Sequence, residues 1–153
     1  MTAVQYLKWQ ELRSSAEEVL RLDSTDARQR EVWADDLGDL LESACLQRAE
    51  AEQVLGWLVQ MAVTAGDHAV RESALHAVAE AGVPYELPYS VVEPLADNIA
   101  AFEPLLLEYV LFSLSATHDE RARGPIEPFL AHPDPDVRRE ARFAMAELGN
   151  ARG

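Results

Sequence analysis

Apolar residues recur along almost the whole chain at three- and four-residue spacing, the period of a helix with one buried face. The first such stripe consists of Val4, Leu7, Leu12, Ala16, Val19 and Leu20. The polar residues 23–26 then predict a turn and the N-cap of a second helix, whose stripe extends from Val32 to Ala44. Because no segment alternates apolar and polar residues as a half-buried strand does, the pattern predicts an all-α protein.

Glycines and prolines divide the rest of the chain into six further predicted helices. These cover, in order, residues 54–65, 70–81, 89–100, 104–117, 126–130 and 136–148. Gly82 and Gly149 are expected to end two of them, and the two prolines within 83–88 predict a loop. The chain would thus form eight helices in four antiparallel pairs. The helix at 104–117 is apolar on nearly every side, which predicts that it is the most deeply buried.

The sequence from Gly66 to Gly82 recurs from Pro133 to Gly149, at an offset of 67 positions. The two copies share Asp67/Asp134, Val70/Val137, Arg71/Arg138, Ala74/Ala141, Ala77/Ala144, Ala79/Ala146, Glu80/Glu147 and Gly82/Gly149. This offset is about two helix-pair units, and repeats of that length are typical of solenoids. We therefore expect a short α-solenoid forming one domain, residues 1–153, of a kind that usually binds other molecules rather than transforming them.

The stretch from Gly124 to Gly149 closely resembles a HEAT repeat. In that family a first helix ends at Pro-Asp, and a second opens with Val-Arg and continues with spaced alanines. Pro133-Asp134 and Val137-Arg138 match these positions, and Ala141 and Ala144 supply the alanines. The resemblance implies that a chain of this length forms a stack of helix pairs with a concave inner face.

The match to the family varies along the chain. Residues 51–82 fit well, with Gly66-Asp67 in place of Pro-Asp, whereas 88–117 lack both the Asp and the Arg. HEAT-like repeats would therefore occupy 49–149. Residues 1–48 pair helices without the motif, and we expect them to cap the stack, because an open terminal repeat would expose core.

The resemblance also implies roles for particular residues. In HEAT proteins the Asp and Arg of the motif form a ladder between neighbouring repeats, which here would consist of Asp67, Arg71, Asp134 and Arg138. The second helices of the pairs usually line the concave face. By helical spacing, the residues expected to face a partner there are Glu72, His76, Glu80, Glu108, Phe112 and Arg142. Glu93 and Asp97 lie on a first helix and are expected on the outer face.

Charge is the strongest compositional signal. The chain has 27 acidic residues against 13 Lys and Arg, for a net charge of −14, and no Lys or Arg occurs between Arg71 and Arg121. A strongly acidic surface repels nucleic acid, whose binding requires cations against phosphates. The same surface attracts a basic protein and speeds its association. General solubility is the alternative explanation of the charge.

Other features limit the chemistry. Cys45 is the only cysteine, so no disulfide can form within the chain, and we interpret it as a small core residue. Glu72, His76 and Glu80 share one helix face, where a solvated polar surface is favoured over a metal site. No phosphate loop, nucleophile elbow or apolar run long enough to span a membrane occurs. Trp9, Trp33 and Trp57 are expected in the core rather than at an interface.

These observations predict a cytoplasmic, non-catalytic interaction module without cofactor or metal, whose acidic concave face binds another protein. One version is a bacterial immunity protein that neutralises a cationic toxin such as a nuclease; an adaptor or an assembly chaperone accounts for the same features. The alternative class is a HEAT-like enzyme, such as the proteins that attach bilin chromophores to light-harvesting subunits. A HEAT-like DNA glycosylase is disfavoured, because the basic residues that its groove requires are missing from 72–120.

Overall fold

The computed structural model describes residues 1–21 and 26–150, and within them the chain is all-helical, as the apolar pattern predicts. The eight α-helices are α1 (Ala3–Leu20), α2 (Ala27–Glu42), α3 (Arg48–Thr64), α4 (His68–Ala81), α5 (Tyr89–Asp97), α6 (Pro104–Ser115), α7 (Arg123–Ile126) and α8 (Pro135–Asn150). Three short 3-10 turns lie at Ile99–Ala101, Glu120–Ala122 and Glu127–Ala131. Most of the turn predicted at 23–26 lies outside the described residues.

Side-chain caps fix where several helices begin. Asp26 accepts a hydrogen bond from the Gln29 amide at the start of α2, and Asp67 accepts one from the Val70 amide at the start of α4. These carboxylates satisfy amide donors that have no partner within the helix, and they meet its positive end. At α1, Thr2 completes a reciprocal capping box.

Several predicted helix ends differ from the structure, among them the helix expected over 104–117, which ends at Ser115, and the short helix expected over 126–130, which is a 3-10 turn from Glu127. The helix expected over 89–100 ends at Asp97. There the Asn98 side chain donates to the Pro94 carbonyl at 2.8 Å, and the backbone continues as a 3-10 turn. The last helix passes through Gly149 and ends at Asn150, so this glycine does not stop it. No described glycine has a positive φ, and the glycine C-cap geometry that the sequence suggested is therefore not used.

The helices pack in a regular order. Each odd-numbered helix contacts the even-numbered helix that follows it, and α2, α4, α6 and α8 contact one another in succession. Asp35, Asp39, His76 and Glu80 line one cavity where α2 packs against α4. Small residues allow this close approach, since a Cβ on Gly38 would lie 3.0 Å from the Ala77 Cβ.

The core extends through the whole stack. The apolar helix α6 has the side chains of Leu106, Val110, Leu111 and Leu114 fully buried, in agreement with its apolar sequence. In the N-terminal half Trp57 lies between Trp9 and Trp33, with ring centroids 6.1 and 5.9 Å away. Trp9 and Trp33 are buried, which confirms the core interpretation for these two rings, and Trp57 is partly buried. The indole N–H of Trp9 donates to the Glu50 carboxylate, and the indole N–H of Trp33 donates to the Leu12 carbonyl.

The first turns of α1 do not follow the predicted stripe. Val4 and Leu7 are 77% and 67% exposed, whereas Trp9, Leu12, Ala16 and Val19 are buried. The expectation that Val4 and Leu7 belong to the core is therefore wrong. The buried stripe begins at Trp9, because a helix can contact its neighbours along only part of its length.

The arginines of the repeat motif bond to backbone carbonyls. Arg71 donates to the Ala62 carbonyl of α3 and to the Ala101 carbonyl after α5, and its guanidinium stacks on Phe102. It thereby joins the ends of two successive odd-numbered helices. Arg138 donates to the carbonyls of His132 and Pro133. No ion pair within 1–21 and 26–150 links these arginines to Asp67 or Asp134; both aspartates instead accept from nearby backbone amides.

The same pattern occurs at α2, in the segment expected to lack it. Arg30 follows the capping residue Asp26 by four positions, as Arg71 follows Asp67 and Arg138 follows Asp134. Arg30 is only 6% exposed, and its Nε and Nη2 atoms are buried without a hydrogen-bond partner among the described residues. Such a charge is costly to bury.

Replacing Arg71 with Met should lower the free energy of unfolding by about 2 kcal/mol. The variant keeps an unbranched apolar side chain but loses two charge-assisted hydrogen bonds to carbonyls and the stacking on Phe102. Urea unfolding followed by circular dichroism measures the difference.

Arg30→Met is the matched control, since it removes the equivalent arginine of the repeat. We expect it to cost less than Arg71→Met, or to stabilise the fold, because it removes buried N–H groups that lack partners. Equal losses in the two variants would show that the carbonyl bonds of Arg71 are not what stabilises that position.

Candidate functional site

The even-numbered helices present equivalent positions on one face. Counted from the first residue of each helix, positions five, nine and thirteen are one helical turn apart and share a side. The ninth residues are Asp35, His76, Phe112 and Phe143, and the thirteenth positions are Asp39, Glu80, Ala116 (the residue that directly follows α6) and Glu147. The fifth residues are Glu31, Glu72, Glu108 and Arg139. We call the surface formed by these positions, together with Tyr109 and Glu140, the even-helix face.

A row of adjoining cavities follows this face. Between α2 and α4 lie cavities of about 250 and 220 Å³, both lined by Asp35 and His76. A cavity of about 340 Å³ extends from His76 across Tyr109 and Phe112 to Glu140, and one of about 250 Å³ extends from Phe112 to Phe143. Neighbouring cavities share lining residues, so the face is a continuous groove along the stack. Each cavity is at or below the small end of the range for small-molecule pockets.

Carboxylates from different helices meet in this groove. Glu80 pairs with His76 at 3.0 Å, and both line a cavity with Asp35 and Asp39. Glu72 pairs instead with His68 at 3.4 Å. At the other end Glu140 lies near Glu108, whereas the guanidinium of Arg139 is paired with Asp136 at 2.7 Å.

Three carboxyl groups of the groove have raised pKa values. Burial raises the pKa of Glu80, and Glu42, Asp39 and Asp35 raise it further against the opposite effect of His76. The pKa of Glu140 is raised by burial and by Glu108. Burial and the neighbouring acids also raise the pKa of Asp39. Burial is the largest cause of each shift, and carboxylates of the same helix or of the neighbouring helix add to it.

Tyr109 lies in the middle of the groove. Burial raises the pKa of its phenol, and the carboxylates of Glu72, Glu108 and Glu80 raise it further. Its ring also meets His76 edge to face, with centroids 5.6 Å apart. Tyr109 is thus a neutral, partly buried aromatic group at the centre of the acidic surface.

Five of the six predicted partner-facing residues lie together. Glu72, His76, Glu80, Glu108 and Phe112 all line cavities of the groove. Arg142 is exposed on α8 but lines none of these cavities; Glu140, Phe143 and Glu147 do so instead. The repeat itself carries the signal for two of these residues, because the 67-position offset maps His76 to Phe143 and Glu80 to Glu147. Its extension to α2, at an offset of 41, maps the same pair to Asp35 and Asp39.

Other features lie outside the even-helix face. A cavity of about 400 Å³ lies between α1 and α2, away from the even-helix face, and includes Glu11, Glu18 and Trp33 in its lining. Within the described residues no group of three His, Cys, Asp or Glu side chains is arranged to hold a metal ion. Cys45 is a free, partly buried thiol. No helix of the described chain has the length and apolar character needed to cross a membrane.

Comparison with known proteins supports the fold alone. No known family matches the chain, and a search of curated proteins finds no similar sequence. Among solved structures, the crystal structure of an engineered protein from the Northeast Structural Genomics Consortium is similar, with a TM-score of 0.58 and 19% identity. The alignment covers 88% of this chain and 62% of the engineered protein. At that identity the likeness extends to the helical fold and no further.

Glu140→Gln should stabilise the protein in a pH-dependent way. A carboxyl group whose pKa is raised by folding binds more protons in the folded state, so the free energy of unfolding falls as pH rises through that range. The variant lacks this titration. Its advantage over wild type should be near zero below pH 4.5, the ordinary pKa of a glutamate, and should grow towards neutral pH. Urea unfolding at a series of pH values measures it.

A double-mutant cycle with Glu108→Gln tests whether Glu108 causes part of this stabilisation. Because Glu108 raises the pKa of Glu140, Glu140→Gln should stabilise less when Glu108 is already neutral. A Glu140→Gln variant that is less stable than wild type at neutral pH would show instead that this carboxylate makes a favourable contact.

Proposed function

We propose that this chain is a HEAT-like α-solenoid of four helix pairs that binds a basic protein along the even-helix face and has no chemistry of its own. The repeat architecture is supported by the motif residues and by the succession of contacts among α2, α4, α6 and α8. The recurrence of Asp and Arg four residues apart at α2, α4 and α8 supports it further. On this proposal residues 1–48 contain a repeat of the same register in addition to their capping role.

The observation that carries the binding function is the concentration of acids on one face. Asp39, Glu80 and Glu140 come from three different helices, and each has its pKa raised by burial and by other carboxylates. Burial is the largest cause of each shift and neighbouring carboxylates add to it, and both effects disfavour the charged form in the folded protein. Lys and Arg side chains of a partner would relieve this repulsion on binding. Solubility alone requires acidic residues but does not require them to be crowded.

The form of the groove favours a binder over an enzyme. Enzyme sites are usually one larger pocket with a few converging polar groups, whereas the even-helix face has several small cavities in a row. Such a surface fits an extended polypeptide partner. The sharper version, neutralisation of a cationic toxin by an immunity protein, accounts for the charge and the small size; an adaptor or a chaperone for a basic subunit would use the same face.

Affinity capture from native lysate at low salt tests the proposal. The bait proteins are wild type and the charge-reversed variant Glu72→Lys/Glu80→Lys/Glu108→Lys. We expect wild type to retain a basic protein, identified by mass spectrometry, and the variant to lose it. Capture should also weaken as the salt concentration rises, because screening shortens the range of the field.

A matched control carries the same charge change elsewhere. Glu93→Lys/Asp97→Lys/Glu127→Lys alters exposed acids on α5 and on the 3-10 turn after α7. We expect this control to retain the partner. Loss of the partner from both variants would indicate a dependence on net charge alone, and its retention by both would show that the even-helix face is not the binding site. Circular dichroism confirms that each bait is folded.

A further inference from the structure

The even-helix face changes in character along the stack. Its ninth-position residues are Asp35 and His76 on α2 and α4, but Phe112 and Phe143 on α6 and α8. The first two lie among carboxylates, whereas the two phenylalanines line a cavity whose floor includes the small residues Gly82, Ala116 and Ala144. The groove is therefore acidic at its α2 end and apolar, with acidic edges, at its α8 end.

Large apolar side chains are exposed at the α8 end. Phe143 is 63% exposed, and Val83, which follows α4, is 80% exposed. The two residues line neighbouring cavities that share Phe112 as a wall. Scattered exposed apolar residues are ordinary on a protein surface, but several around connected cavities are typical of an interaction site.

Small residues keep the cavity at this end open. A Cβ added to Gly82 would lie 2.8 Å from the Ala116 Cβ and 3.2 Å from the Phe112 ring, so the backbone of this turn packs closely against α6. The Phe112 ring thus lies close to the backbone of Gly82, and both residues line the cavity. A preformed apolar wall costs little ordering entropy when a ligand binds.

Carboxylates surround this apolar surface. Glu80, Glu108 and Glu140 line the cavity between α4, α6 and α8, and Glu140 and Glu147 line the next one. Glu147 is held by His118, whose Nε2 lies 3.1 Å from its carboxylate. An apolar group that enters here therefore has negative charge on both sides. The complementary ligand carries positive charges flanking an apolar side chain.

We infer that the partner contributes a segment in which an aliphatic or aromatic anchor residue is flanked by Arg or Lys, and that the anchor lies between Phe112 and Phe143. This inference rests on the proposed function, because the acidic groove supplies the charge complementarity that selects the segment. What the inference adds to the proposed function is the apolar contact between the anchor residue and the two phenylalanines. The flanking cations meet Glu108 and Glu140, and further basic residues follow the groove towards Asp35 and Asp39.

A pair of labelled peptides tests the inference by fluorescence anisotropy at low salt. One short peptide contains Arg and Leu in equal number, and the other has every Leu replaced by Ser and the same charge. Wild type should bind the Leu peptide about tenfold more tightly than the Ser peptide. Phe143→Ser should remove this difference and leave the Ser peptide's affinity unchanged. The control Leu105→Ser, at a residue that is also exposed but lines none of these cavities, should change neither affinity.

The outcomes separate the inference from the function on which it rests. Equal binding of the two peptides to wild type, with both weakened by Glu72→Lys/Glu80→Lys/Glu108→Lys, would overturn the anchor and leave the acidic groove in place. A Leu peptide that binds this charge-reversed variant as tightly as wild type would overturn the acidic groove. If neither peptide binds wild type, both the anchor and the acidic groove are overturned. Preference for the Leu peptide that persists in Phe143→Ser would place the anchor elsewhere.

Discussion

The close approach of successive even-numbered helices is the constraint on which the structure depends. Gly38 lies against Ala77 where α2 packs on α4, and Gly82 lies against Ala116 where α4 packs on α6. These contacts fix the spacing at which the apolar stripes close into one core. They also fix the spacing of the side chains on the solvent side of these helices. The acids at equivalent positions are therefore brought close together even though their charges repel.

The balance between core and surface follows from this constraint. Burial of apolar side chains such as Leu106 and Leu111 stabilises the stack, while the crowded carboxylates oppose it. The opposition is visible in the raised pKa values of Asp39, Glu80 and Glu140. A sequence selected for stability alone would place these acids apart or pair them with arginines. On the proposed function, the Lys and Arg side chains of a bound partner would relieve the repulsion among these acids.

How much of the fold and of the groove could be predicted from the sequence depends on whether a feature lies within one helix or between helices. The line Glu72, His76 and Glu80 follows from helical spacing alone, and the structure shows all three in the groove. On α8 the choice of Arg142 rather than Phe143 reflects a wrong rotational phase, because residues one position apart differ by about 100° around the axis. The internal repeat contained the right phase, since it aligns Phe143 with His76. Glu140 could not be found this way, because its environment depends on the contact of α8 with α6.

The N-terminal helices contain part of the sequence pattern of the repeat without the rest of it. At α2 the residues Asp26 and Arg30 keep the spacing of Asp67 and Arg71, but the alanines and the Val-Arg pair that mark the motif are missing. The part of the pattern that recurs at α2 is the capping aspartate and the arginine four residues after it, which is buried. The sequence alone does not reveal the motif there, because its other positions differ.

The change from acidic to apolar along the groove divides binding into two physical tasks. On the proposed function, long-range attraction by the carboxylates would act before contact and raise the rate of association, and salt would weaken it. Contact with Phe112 and Phe143 would act only after docking and would lengthen the lifetime of the complex. The carboxylates at the α2 end could thus attract a basic segment in many orientations. The complex would be long-lived only if an apolar residue of that segment reaches the α8 end. Charge alone would select any cationic chain, and the aromatic end is what gives such a surface selectivity.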